Sequence, residues 1–158
     1  MAGDIKQKFG TSNQTLTISL ASLANAAGRQ STAVDNTSNL FADVLLMLKS
    51  RSPASGTSAT GYLLIYAYGS VDGGSSYSGN ATGTDGGLTP INMNLVGRVD
   101  MTANGTDYKS PIMSIAAAFG GVMPSHWGIV VVNNSGGTLD STGGNHAAIW
   151  QGVLAQYT

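Results

Sequence analysis

The chain contains no glutamate, and this absence limits its fold more than any other feature. Of its 158 residues, eight are Asp and seven are Lys or Arg. Glu is a good helix former, whereas Asp prefers caps and turns. Gly, Ser, Thr and Asn together supply 66 residues. Such a chain has little material for exposed helices and much for turns between strands. Hydrophobic residues reach 42%, enough to build a core and unlike the composition of a disordered chain. The length suits one domain.

Period-two alternation marks the strands. Leu16, Ile18 and Leu20 alternate with Thr15, Thr17 and Ser19, the pattern of a half-buried strand. In LFADVLLMLKS, Leu40, Ala42, Val44, Leu46 and Leu48 share one face, while Asp43 and Lys49 lie on the other. The charges direct the first face to the core. GYLLIYAYG is apolar on both faces, with Tyr62, Leu64, Tyr66 and Tyr68 on one and Leu63, Ile65 and Ala67 on the other. Met93, Leu95, Val99 and Met101 are in phase in a further strand, and HWGIVVVNN and HAAIWQGVLAQY close the pattern. LASLANAAG, at 20–28, reads either as one or two helical turns or as an irregular path. Residues 71–87 form a long Gly-rich surface loop.

About eight strands follow, with turn signals every ten to fifteen residues. The expected fold is all-β: an antiparallel β-sandwich of jelly-roll type with very little helix. Residues 14–158 form its single domain, and residues 1–13 a polar N-terminal arm. The expected core includes Val44, Leu46, Leu64, Leu95, Ile129 and Val131.

Composition excludes several functions. Net charge is −1, without a basic block, which argues against nucleic-acid binding by counterion release. Without cysteine there is no disulfide and no thiolate chemistry. No apolar run approaches a membrane span, and no secretory h-region opens the chain, so synthesis in the cytoplasm and no membrane partner are expected. His126 and His146, the two histidines, each stand at a strand start, and no G-x-S-x-G elbow accompanies them. No carboxylate pair of the glycosidase kind is visible. The chain is therefore expected to be no enzyme and to need no cofactor. Asp72 and Asp85 flank the Gly-rich loop and are the candidates for a calcium site completed by loop carbonyls. The stripe Tyr62, Tyr66 and Tyr68 is open to three readings: a sugar-stacking face, a subunit interface, or packing beneath a loop.

The runs SLASLANAAGRQSTAVDN, LFADVLLMLKS, LIYAYGSVDGG, AAFGGVMPSHWGIVVVNNSGGTL and HAAIWQGV resemble a group of small virion structural proteins of tailed phages and prophages. The likeness spans roughly residues 15–155. It implies a virion protein, with a jelly-roll capsid decoration (cement) protein as the favoured version. The major capsid protein, or another virion protein, would be its partner. A tail, neck or fibre component is the alternative within the virion, and a carbohydrate-binding module or adhesin the alternative outside it. Shells present threefold positions, so self-association as a trimer is expected. Ile5 and Phe9, the large apolar residues of the arm, would be its anchors.

Overall fold

A computed structural model describes residues 4–157. Two antiparallel sheets pack face to face, with 42% of residues in strands and 5% in helix, so the chain is an all-β sandwich. In the first sheet the order is β1 (Ile5–Phe9), β12 (Ala147–Tyr157), β5 (Asp43–Arg51) and β10 (Met113–Ser114). Two short strands complete it, β2 (Gln14–Thr15) on β12 and β9 (Asp107–Lys109) on β5. The second sheet runs β7 (Gly86–Gly87), β3 (Gly28–Gln30), β11 (His126–Asn134), β6 (Tyr62–Ser70) and β8 (Asn94–Asp100), with β4 (Val34–Asp35) also on β11. One four-residue helix, α1 (Ile115–Ala118), is capped by the Ser114 hydroxyl, which accepts from the Ala117 amide, as an N-cap should.

The core lies between the sheets. Val44, Leu46 and Leu48 of β5 meet Leu63 and Ile65 of β6, Trp127, Ile129 and Val131 of β11, and Ala148 and Trp150 of β12. Along β5 every second residue is buried, as the alternation of LFADVLLMLKS requires. Leu40 and Ala42 are the exceptions: both precede the strand and are exposed, and Leu40 has φ of 52°.

Two of the six expected core residues lie elsewhere. Leu64 points outward from β6, because this strand is apolar on both faces and its Leu63, Ile65 and Ala67 face is the buried one. Leu95 is 55% exposed. The cause is a bulge: Ile65 opposes Gly97 but Tyr66 opposes Leu95, leaving Val96 as the extra residue on β8. A bulge reverses the side-chain phase, so Val96 packs on the core and Leu95 stands on the outer face beside Tyr66.

The expected strand at 15–20 pairs only over Gln14–Thr15, although Leu16 and Leu20 are buried as the alternation indicates. Residues 20–28 follow the irregular path, through two turns with Ser22 and Ala26 at positive φ. The segment read as an arm is ordered by its own chain: Ile5–Phe9 pairs with β12 from Tyr157 back to Val153. Residues 1–3 of that arm lie outside the described residues. Among the described residues twelve strands stand where about eight were expected, since the two- and three-residue strands are too short to show a period.

These faces give opposite expectations for two leucines. Leu46→Ala should cost about 2–5 kcal/mol through the cavity it leaves, whereas Leu95→Ala should stay within about 0.5 kcal/mol as a surface change. Denaturant melts of the two variants check both, and equal losses would place Leu95 in the core.

Candidate interaction surfaces

The outer faces of the two sheets differ. On the second sheet, the Gly-rich loop folds back over one end. The Ser78 amide donates to the Gly69 carbonyl at 2.8 Å and the Ala33 amide to the Gly83 carbonyl at 2.9 Å. Gln30 bonds Thr82 through both ends of its amide, at 2.6 and 3.0 Å. Beneath this loop lies Tyr68, fully buried, its ring edge-on to Tyr77 at 5.5 Å and its hydroxyl donating to the Ser31 carbonyl at 2.6 Å. Burial pushes its phenol up to about 12. The ring also occupies the space that a Cβ on Gly128 would fill. Tyr68 is thus removed from the expected interface stripe: it is packing beneath a loop. Tyr62 and Tyr66 remain half-buried on the open end with Leu64. Arg98 lies 4.0 Å over the Tyr62 ring and is itself held by Asp100 at 2.6 Å, a cation–π contact on the surface.

The two calcium candidates are engaged separately. The Asp72 carboxylate accepts from the hydroxyls of Ser70 and Ser76 and from the Ser76 amide. The Ser76 and Ser70 bonds hold it well below the usual carboxylate range. Asp85 accepts from Arg29 Nε at 2.7 Å and from Ser19 Oγ at 2.6 Å. Burial acts to raise the Asp85 carboxyl, but the Arg29 and Ser19 bonds outweigh it and leave it lowered. Among the described residues no group of three or more His, Asp or Glu could hold a metal. Asp72 closes its own turn, and Asp85 ties the loop to β3 and to the segment after β2.

The histidines serve strand ends. His146 accepts from the Ser50 hydroxyl at Nδ1, 2.8 Å, once its Nε2–H donates to the Asp140 carbonyl at 2.9 Å. The Ser–His geometry carries no nucleophile to solvent, because Ser50 is fully buried. His126 Nε2 stands 3.8 Å from Asp35 at the start of β11.

The first sheet leaves an apolar outer face uncovered. Register places Met47 beside Ile149, Leu45 beside Gln151 and Asp43 beside Val153. The same face of β12 continues through Ala155 to Tyr157, opposite Phe9, Gln7 and Ile5 of β1. Leu45, Met47, Ile112 and Ile149 line a shallow groove of about 290 Å³. Beyond Val153, β12 has lost β5 as a neighbour and pairs only with β1, so the two strands form a ribbon extending from the sandwich. Its exposed apolar residues are Ile5 (78%), Phe9 (54%) and Tyr157 (72%). Ile5 and Phe9 were legible in the sequence. The alternation of LFADVLLMLKS also placed Leu45 and Met47 on the outer face with Asp43 and Lys49, whereas Ile112 and Ile149 were not singled out there.

Comparison with known proteins finds no matching family model, no matching curated protein and no matching solved structure.

The Asp85 contacts carry a pH dependence with a definite sign. A carboxyl whose folded pKa is lowered stabilises the fold above its unfolded value, and the contribution is lost as pH falls through the folded value. Asp85→Asn should therefore lower stability by about 1–2 kcal/mol at neutral pH. The gap from the parent protein should close progressively below about pH 4. Melting curves of both proteins between neutral and acid pH measure it, and a constant gap would show that the charge of Asp85 is not its source.

Proposed function

We propose that this chain is a non-enzymatic structural protein of a phage virion, a jelly-roll decoration protein that binds the outer capsid shell and stabilises it. The observation that carries the reading is the apolar character of the outer face of the first sheet, half-buried at Leu45, Met47 and Ile149 and exposed at Ile112, and again at Ile5, Phe9 and Tyr157 on the ribbon. Exposed apolar patches of this kind mark a protein-binding face. The resemblance of GRQSTAVDN and WGIVVVN to tailed-phage virion proteins supplies the partner, the major capsid protein. The titratable groups support a non-catalytic role: Asp72 and Asp85 are engaged in local hydrogen bonds, and the serine that meets His146 is buried. The apolar face also supports self-association, with a trimer at a threefold position of the shell as the assembly that closes without open ends.

Virions purified from the phage that encodes this chain provide the test. Shell decoration requires the protein in copy numbers comparable with the major capsid protein, and shells stripped of it should rupture at lower temperature. Copies far fewer than those of the shell protein would reassign it to the tail, neck or fibre. Absence from virions, with Tyr62 and Tyr66 responding to added oligosaccharides, would make it a carbohydrate-binding module.

A further inference from the structure

We propose that the open edge of β1 is a strand-accepting site for an extended protein segment bearing Asp or Glu at alternate positions. The Gly10 amide donates to the Gly152 carbonyl at 2.9 Å. Backbone direction alternates along a strand, so Lys8 and Lys6 turn their peptide groups to β12, and Ile5, Gln7 and Phe9 turn theirs away. Among the described residues β1 ends its sheet, and all five of its residues are exposed. A row of outward N–H and C=O groups is a template for one more strand.

Side-chain chemistry selects the occupant. Ile5 and Phe9 project on one face of the ribbon, with Tyr157 and Val153 beside them, and Lys6 and Lys8 on the other. Neither lysine forms an ion pair among the described residues. An added strand would therefore meet an apolar face and a cationic face, and would match them with apolar and acidic residues in alternation. A second copy of β1 fits poorly. In the antiparallel register that joins all the outward groups, Ile5 with Phe9 and Gln7 with Gln7, Lys6 stands opposite Lys8, and like charges directly opposed repel. The inference deepens the shell-binding reading, on which it rests for the identity of the partner: the acidic strand would belong to the shell protein.

A capped peptide of alternating Val and Glu, and its Val–Lys counterpart, probe the edge directly. With the Val–Glu peptide, amide hydrogen exchange at Ile5, Gln7 and Phe9 should slow. The Val–Lys peptide should bind about tenfold more weakly, as two cross-strand charge pairs change sign. The double variant Lys6→Glu, Lys8→Glu should reverse this preference. Gln7→Pro removes one outward N–H without touching a bond to β12, and proline is tolerated on edge strands. It should keep the melting curve and lose the peptide. Equal binding of the two peptides, slowed exchange confined to other residues, or undiminished binding by Gln7→Pro would overturn the proposal. Virions separate the two readings. If Gln7→Pro joins them at full copy number, the edge is not the attachment, while decoration stands. If the parent protein is absent from virions yet takes the Val–Glu peptide with the expected protection, decoration fails and the strand-accepting edge stands.

Discussion

The sandwich depends on one contact between its sheets. Trp127 of β11 and Trp150 of β12 meet edge to face, with ring centroids 5.5 Å apart and planes at 90°. Phe41 adds a second edge contact to Trp150 at 5.9 Å. Such pairs contribute about 0.5–1.5 kcal/mol beyond the area they bury. Neither indole N–H finds an acceptor among the described residues, which costs about 1–3 kcal/mol for each. Burial of two of the largest side chains in the protein has to exceed that cost. The arrangement also sets a requirement on the backbone. The Phe41 ring lies where a Cβ on Gly152 would sit, so glycine is needed there, and it stands close against the Cβ position of Gly10. Past that point there is no core to cover, and the ribbon of β1 and β12 extends beyond it.

The surface follows from the scarcity of charge. The three arginines are each tied to a nearby aspartate, Arg29 to Asp85, Arg51 to Asp107 and Arg98 to Asp100. Much of the remaining polar surface is hydroxyl and amide, and such groups hold loop geometry, as in the Ser70, Asp72 and Ser76 cluster. One consequence is a Gly-rich loop that is packed against its sheet despite its low-complexity sequence. It covers Tyr68 at one end of its sheet. Among the described residues the other sheet has no comparable covering, and its outer face carries apolar residues on the sheet and again on the ribbon, with Gln151 and Asp43 between them. The lysines form no ion pair among the described residues: Lys49 stands opposite Lys109 on the sheet, and Lys6 and Lys8 lie on the ribbon. Lys6 and Lys8 oppose full-register pairing of the open edge with its own copy and favour an acidic strand.

Strand identity was legible wherever one face was apolar and the other polar. For β5, the charges of Asp43 and Lys49 named the outer face, and Val44, Leu46 and Leu48 are buried accordingly. In β6 both faces are apolar, so nothing local distinguishes Leu64 from Leu63. Their fates differ because one sheet face packs on Leu46, Leu48 and Trp150 of the first sheet and the other does not. In β8 the pattern itself misleads: Leu95 and Val99 are in phase by count, but the bulge at Val96 shifts the phase between them. Of the interaction residues, Ile5 and Phe9 were visible as lone apolar groups in a polar segment. Tyr68 was placed with Tyr62 and Tyr66 by period, and only the folded loop separates it from them.

The amino-acid sequence alone determined the fold class. Absence of Glu, abundance of turn formers and period-two apolar runs leave a chain that can bury its hydrophobic groups only between sheets, because these are local properties of composition and spacing. Tertiary structure decided which neighbours each strand has, and with that which apolar face is covered, where β12 outruns β5, and which edge of β1 is open. Those outcomes depend on pairing between residues far apart in the chain, such as Ile5 with Tyr157. No local pattern carries that information, since backbone hydrogen bonds are the same for every residue type and register is chosen by the packing of the whole.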